Sequence, residues 1–275
     1  MNNLDAVGEC ELYFGLVGEV RFRLLDGVMV NNVRQSALAP TGTLRVGINY
    51  GNPVLAKRDL ATGELSGVAV DLARELARYV DLPFNLVAFE SAGKMFEAIK
   101  SDGWDVAFLA IDPARAGEID FTPPYLEIEG TYLVPESSQL ESVEEVDRPG
   151  IRIGISAKSA YDLFLSRAIK MAELIRAPNP DAAFQLLRDG KVDVVAGVRQ
   201  HLVANSSKLP GSRVFQGRFM AIRQALGIRK GRQVTEALRD FIEQAKASGL
   251  VAQAIERAGV RGVSVAPPID ANKPV

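Results

Sequence analysis

The chain has 275 residues, of which 47% are hydrophobic and 24% are charged. This composition is typical of a soluble globular protein with one large or two small domains, and it excludes wholesale disorder. The 32 basic and 34 acidic residues leave a net charge of −2, so no nucleic-acid partner is expected. Cys10 and His201 are the only cysteine and histidine. Together they exclude an internal disulfide and a zinc site of the usual type, and we expect neither a metal nor a cofactor.

The N-terminal region has no apolar run long enough to cross a membrane or to form the core of a signal peptide. Four charged residues interrupt its best candidate, residues 12–30: Glu19, Arg21, Arg23 and Asp26. The sequence as given therefore predicts a cytoplasmic protein, unless its N-terminus differs from the one made in the cell. Residues 1–42 are expected to be a poorly ordered extension with some strand at 18–25.

A regular alternation of strands and helices begins after this extension. Strands are predicted at 44–48, 84–89 and 105–110, and helices at 68–80, at 94–100 and starting at Asp112-Pro113. In the first helix Leu72, Leu76 and Val80 recur every four residues, as an amphipathic helix requires. The order β-α-β-α-β predicts a mostly parallel sheet covered by helices.

The same pattern restarts after Arg148-Pro149-Gly150. Strands are predicted at 151–155, 173–177, 192–197 and 225–229, and helices at 159–172, 181–188, 234–247 and 250–258. Two α/β units place a cleft between them. Because open α/β sheets bind ligands at the carboxyl ends of their strands, the residues that follow each strand are the candidates for a site.

The order and spacing of several segments resemble the amino-acid-type solute-binding proteins of ABC transporters, family 3. The segments are 44–47, 67–73, 104–107, 112–116, 119–125, 226–231 and 247–250. The resemblance covers about 43–260 and implies an α/β, two-lobe, periplasmic-binding-protein-like (type 2) fold. Each lobe would be a mostly parallel sheet flanked by helices, and the lobes would close on a small ligand.

The family pattern also implies where the chain passes between the lobes, near 127–130 and near 223–225. The first lobe is then expected to comprise 43–128 plus 225–262, the second lobe 129–224, and a tail 263–275. The family implies an ABC transporter permease as partner, a monomeric protein and a periplasmic location.

Arg115 stands where the family has the arginine that binds the ligand carboxylate. A guanidinium binds a carboxylate through two parallel hydrogen bonds. The alternative is an exposed arginine in a first helical turn, although a cation there opposes the helix dipole. The Ser or Thr that helps this arginine in the family is absent. Phe108 and Ala110 occupy that region, and only the backbone N–H of Ala110 remains to donate.

The strand that ends near residue 48 is followed by three candidate contacts. Tyr50 is proposed to replace the aromatic residue that the family stacks on the ligand, because Val68 stands at that position. A tyrosine with no role beyond a strand end is the alternative. Asn49 and Asn52 are expected to be polar contacts.

The second lobe lacks the family's acid for the ligand ammonium, since Val198 and Arg199 follow its strand. An arginine has only donors, so Arg199 suggests a second anionic group on the ligand or a ligand without an amine. A solvent-facing Arg199 at the start of the next helix is the alternative. Ser159 is expected to contact the ligand or simply to cap its helix, and His201 is expected on a helix surface.

Three functions follow from the resemblance. The first is non-catalytic binding of a small carboxylate-bearing solute for an ABC importer. The second is a cytoplasmic sensor or orphan binding domain. The third is an enzyme similar to cyclohexadienyl dehydratases, which use a cleft carboxylate as general acid. That carboxylate would stand at 198–199, where this chain has none, so the expectation is a protein that is not an enzyme.

Overall fold

A computed structural model describes residues 22–25, 28–31, 37–232 and 235–268. The strands are β1 (Phe22–Leu25), β2 (Val28–Asn31), β3 (Leu44–Asn49), β4 (Lys57–Arg58), β5 (Leu65–Ser66), β6 (Phe84–Phe89), β7 (Val106–Ala110), β8 (Ile119–Pro135), β9 (Arg152–Ser156), β10 (Glu173–Ala177), β11 (Val194–Val198), β12 (Ser212–Val214), β13 (Met220–Arg229) and β14 (Ser264–Val265). The helices are α1 (Val68–Tyr79), α2 (Ala92–Glu97), α3 (Ala160–Ala168), α4 (Pro180–Arg188), α5 (Arg199–Ser206), α6 (Thr235–Ala247) and α7 (Leu250–Arg257). None of the helices that the structure describes has the length and apolar character needed to cross a membrane.

A single 10-stranded sheet runs through both lobes, with the main order β10-β9-β11-β8-β13-β7-β3-β6. Its central strands, β8 and β13, are long and antiparallel, and Glu127 pairs with Arg223. Both segments expected to cross between the lobes lie on these two strands. The lobe boundaries at 128/129 and 224/225 stay predictions.

Each lobe surrounds its own parallel strands. In the first lobe β3 pairs in parallel with β6 and β7, and in the second lobe β9 pairs in parallel with β10 and β11. The antiparallel strands β8 and β13 join the two sets. The predicted fold class, a mostly parallel sheet flanked by helices in each lobe, is confirmed.

Helix α1 shows how the sequence builds the first lobe. Its apolar stripe is fully buried, with Leu72 and Leu76 at 0% exposure. Gly67 precedes the helix with a φ of 124°, and a Cβ there would lie 2.8 Å from the carbonyl oxygen of Leu55. Glycine is required at this close approach. The backbone N–H of Ala69 donates to this carbonyl oxygen at 2.9 Å, and Leu55 lines the cleft described below.

Three predictions about local secondary structure are wrong or are only partly covered by the described residues. The helix predicted to begin at Asp112 is wrong, because residues 113–118 form turns that lead directly into β8. The predicted tail is wrong in its first part, since Ser264 pairs with Glu127 and Ala266 is 2% exposed. The predicted strand at 18–25 appears over Phe22–Leu25, which pairs with β2. The rest of that strand lies outside the described residues, as does most of the extension expected to be poorly ordered.

Candidate functional site: the cleft between the lobes

A cleft, partly open to solvent, lies where the carboxyl ends of the strands of both lobes meet. Polar side chains line it from both sides: Asn49, Asn52, Ser91, Arg115, Ser156, Ser159, Tyr161, His201 and Gln224. Its apolar lining comes from Leu55, Ala92, Leu109, Ala110, Ala160, Pro180, Val198 and Ile222. The cleft therefore lies at the carboxyl ends of the strands, as the sequence predicted. Strand β13 adds Ile222 and Gln224 from the connection between the lobes.

Arg115 is the cation of this cleft, and its side chain is 0% exposed. One terminal nitrogen donates to the carbonyl oxygen of Ala110 at 2.8 Å, and the other donates to that of Lys158 at 2.9 Å. The Nε group is buried and has no hydrogen-bond partner. Burial lowers the pKa of Arg115 to about 10, partly offset by the nearby Asp112 carboxylate. Arg115 therefore stays charged at neutral pH. Two of its five N–H donors are used by these carbonyl oxygens, so Nε–H and one N–H of each terminal nitrogen have no partner among the described residues.

The turn before β8 places Arg115 in the cleft. The Asp112 carboxylate accepts a hydrogen bond from the backbone N–H of Ala114 at 2.8 Å, and the Asp112 carbonyl oxygen accepts one from the N–H of Arg115. The Asp112 side chain is 4% exposed and pairs with Arg167 of the second lobe at 2.9 Å. Arg115 thus reaches the cleft from a tight turn, not from the first turn of a helix.

Asn49 and Asn52 form the wall that follows β3. The Asn49 side-chain oxygen accepts from the N–H of Gly51 at 3.1 Å, and that of Asn52 accepts from the N–H of Val54 at 3.2 Å. The amide Nδ2 groups of these residues and the second lone pair of each amide oxygen remain for a ligand. Gly51 is required here, because a Cβ would lie 2.0 Å from the carbonyl oxygen of Glu90.

The second lobe contributes hydroxyl groups and rings. Ser159 caps α3 by accepting from the N–H of Asp162 at 3.0 Å, so the predicted capping role is present in a residue that also lines the cleft. Burial raises the pKa of Tyr161 to about 12, and hydrogen bonding to Ser159 and Ser156 partly offsets this effect. Tyr161 is therefore a neutral hydroxyl at physiological pH.

The prediction that His201 is a helix-surface residue is wrong. It lines the cleft, and its side chain is only 13% exposed. Its Nε2 lies 3.0 Å from the Asn205 amide nitrogen and 3.5 Å from a carboxylate oxygen of Asp181. Burial lowers the pKa of His201, partly offset by Asp181. A signal for this position existed, because His201 stands in the first turn after the carboxyl end of β11.

Gln224 is a second cleft residue that the sequence did not single out for the site. It is 3% exposed, and its Oε1 atom is buried without a hydrogen-bond partner. A buried amide in an apolar strand is unusual. Its place on a predicted crossing was the available signal.

Two predicted site residues do not line the cleft. The Tyr50 ring packs under the guanidinium of Arg58, 5.6 Å from its centroid. The Arg199 guanidinium is used by Glu129 at 2.6 Å and by the carbonyl oxygens of Phe215 and Gln216, both at 2.7 Å. Because these partners use its guanidinium, Arg199 is not available to bind a second anionic group of a ligand in the cleft. The structure does bring Asn49, Asn52, Ala110, Arg115 and Ser159 together around one cleft.

The two lobes touch across the cleft in a closed arrangement. Arg115 reaches the Lys158 carbonyl oxygen, and Arg167 reaches Asp112. Lys158 also forms an ion pair with Glu97. These contacts join the edges of the cleft, so any change in the angle between the lobes must break them.

The bacterial extracellular solute-binding proteins, family 3, have a family model that matches residues 44–259. The chain belongs to this family. Its match includes every cleft residue named above. An ancestral arginine-binding protein bound to glutamine has the same fold with a TM-score of 0.68 and 25% identity, covering 78% of this chain and 97% of that one.

Two further proteins are similar in sequence to this family 3 protein. The cyclohexadienyl dehydratase of Pseudomonas aeruginosa is 25% identical over 166 residues, which are 59% of this chain and 61% of the enzyme. The chain thus spans about three fifths of that enzyme. The histidine-binding periplasmic protein of Salmonella typhimurium is 24% identical over 207 residues, 69% of this chain and 77% of that protein.

Proposed function

We propose that this family 3 protein binds a small carboxylate-bearing solute in the cleft and delivers it, unchanged, to an ABC importer. One observation carries the proposal: Arg115 is a fully buried cation whose Nε donor has no partner in the described part of the chain. Buried polar groups are nearly always hydrogen-bonded, and a carboxylate oxygen is the acceptor that a guanidinium binds most strongly.

The relatives support this choice of ligand group. One is a histidine-binding protein, and another is an arginine-binding protein bound to glutamine. Histidine, arginine and glutamine all carry a carboxylate. We propose that this protein acts as a monomer outside the cytoplasm, the location in the family's own description.

Each polar residue of the cleft has a role in this proposal. Arg115 binds the carboxylate, and the backbone of Ala110 holds the arginine in place. The Nδ2 groups of Asn49 and Asn52 and the hydroxyl of Ser159 contact the remaining polar atoms of the ligand.

The dehydratase relative makes an enzyme the second candidate. Loss of water requires a group that gives a proton to the leaving hydroxyl. Among the residues that the structure describes, no aspartate or glutamate lines the cleft. Tyr161 is a weak acid, because burial raises its pKa to about 12. We therefore favour binding, and incubation with prephenate or arogenate, followed by product analysis, tests the enzyme.

A thermal-shift screen of carboxylates tests the proposed function. A ligand at 100 times its dissociation constant adds about 2.7 kcal/mol to the free energy of unfolding, which is a clear rise in melting temperature. The control is Arg115→Met, which removes the charge and keeps a long apolar side chain. We expect the shift in the natural chain and its loss in the variant. A full screen without any stabilising acid would contradict the proposal.

A further inference from the structure

We infer that the ligand is a monocarboxylate without a charged amine, of the 2-hydroxy acid type. The inference rests on the proposed function and names the class of solute within it. Among the residues that the structure describes, the cleft has one buried cation, no anion and an unpartnered neutral acceptor, and each of these features selects a part of the ligand.

Two buried carboxylates beside cleft residues, Asp112 next to Arg115 and Asp162 next to Ser159, are turned to other partners. Asp112 pairs with Arg167. Asp162 accepts from the Lys158 backbone N–H and pairs with Arg176. Among described residues no aspartate or glutamate lines the cleft, so nothing there neutralises a ligand ammonium.

Two further carboxylates are also unsuited to bind an ammonium. Glu129 pairs with Arg199 and Arg218, and Asp181 lies beside His201 with its side chain 84% exposed to solvent. An ammonium that leaves water for a closed cleft needs a charged or strongly accepting partner. The buried charge of Arg115 would in addition repel it. The ammonium of an α-amino acid would therefore lose hydration without a charged partner and would also be repelled by Arg115. An acid without an amine avoids both effects.

The cation count limits the ligand to a single carboxylate. Arg115 is the one arginine or lysine that lines the cleft among the described residues. The Arg199 side chain is used by Glu129 and by backbone carbonyls, and burial keeps the pKa of His201 below its ordinary value. A second carboxylate would have no buried cation to meet, so a dicarboxylate is disfavoured.

Gln224, Asn49 and Asn52 favour a ligand that carries a neutral polar group next to its carboxylate. The Gln224 Oε1 atom is buried without a donor among the described residues, and the Nδ2 groups of Asn49 and Asn52 can donate to a ligand acceptor. A hydroxyl group both donates and accepts. An uncharged hydroxyl at the carbon next to the carboxylate satisfies both needs without the desolvation penalty of an ammonium.

The remaining lining favours an apolar side chain on the acid. Leu55, Leu109, Val198 and Ile222 surround the polar groups. 2-Hydroxyisocaproate and leucine are therefore a suitable pair of probes, because they differ only in a hydroxyl against an ammonium. Lactate with alanine and phenyllactate with phenylalanine extend the comparison to smaller and larger side chains.

Titration calorimetry of these pairs tests the inference on three proteins: the natural chain, Val198→Asp and Val198→Asn. Val198 lines the cleft and precedes α5, where a new carboxylate would also favour the helix N-terminus. The asparagine variant has nearly the same shape without the charge, and circular dichroism confirms folding of all three.

In the natural chain we expect the hydroxy acid of the tightest-binding pair to bind at least about 10-fold more tightly than its amino acid, a difference of about 1.4 kcal/mol. Val198→Asp should narrow or reverse this ratio, and Val198→Asn should not. An amino acid that binds the natural chain as tightly as its hydroxy acid would overturn the inference and leave the proposed function standing. If no member of any pair binds but the carboxylate screen finds another acid, the inference falls and the proposed function stands. If the full screen finds no acid, both fall.

Discussion

The two lobes each place an arginine just beyond the carboxyl end of a buried strand, and the structure uses these arginines differently. Arg115 follows β7 and lies inside the cleft at 0% exposure with an unpartnered Nε. Arg199 follows β11 and lies outside the cleft, where Glu129 and the carbonyl oxygens of residues 215–217 use its donors. The supply of local acceptors decides which arginine is free to bind a ligand.

The contrast separates a binding residue from a structural one. A guanidinium whose donors are all used stabilises the chain segments that it joins. A buried guanidinium with a spare donor costs stability until a ligand completes it. Mutation of Arg115 should therefore change the ligand affinity, whereas mutation of Arg199 should change the free energy of unfolding.

Arg115→Met should have the largest effect on ligand affinity. Loss of a charge-assisted, two-point contact costs about 2–4 kcal/mol of binding free energy, which weakens affinity by about 30-fold or more. Calorimetry with the tightest acid from the screen measures this loss. Unchanged affinity would remove Arg115 from the site.

Arg199→Met should instead lower the free energy of unfolding. The variant removes the Arg199 hydrogen bonds to Glu129 and to the carbonyl oxygens of Phe215 and Gln216, at a cost of about 1–3 kcal/mol. Ligand affinity should stay within about threefold, less than 1 kcal/mol, because Arg199 does not contact the cleft. Urea denaturation measures the first quantity and calorimetry the second. An affinity loss equal to that of Arg115→Met would show that Arg199 reaches the ligand.

Arg167→Gln should have the smallest effect, because it acts on closure alone. The ion pair with Asp112 joins the lobes, but the Arg167 side chain is 49% exposed and is screened by solvent. We expect affinity to fall by about two- to fivefold. Small-angle scattering should show a larger radius of gyration in the ligand-free variant. If both quantities match those of the natural chain, the pair does not hold the lobes together.

Local patterns predicted the framework well. The strands at 84–89 and 173–177 have the predicted bounds, and helix α1 follows its four-residue apolar repeat. Alternation and amphipathic periodicity depend on neighbouring residues, so they are visible in the sequence. The predicted helix at Asp112 failed because the chain must enter β8 at Ile119, and turns make that connection.

The composition of the cleft was harder to predict, since it depends on which side chains the closed lobes bury. Asn49, Asn52, Ala110, Arg115 and Ser159 were expected there and do line it. His201 and Gln224 are buried by the packing of α5 and β13 around the cleft. Their positions after β11 and on a predicted crossing point to the cleft, but no local pattern reveals that their side chains are buried there. The Arg199 side chain instead donates to carbonyl oxygens that lie 16–18 residues further along the chain, a contact that the sequence does not reveal.

A crystal structure of the complex with the tightest-binding acid would show which residue binds the ligand carboxylate. We expect the carboxylate within hydrogen-bonding distance of the Arg115 guanidinium, including Nε, and no contact between the ligand and Arg199. A ligand bound elsewhere on the protein, or bound in the cleft with its carboxylate directed away from Arg115, would show that Arg115 is not the carboxylate-binding residue.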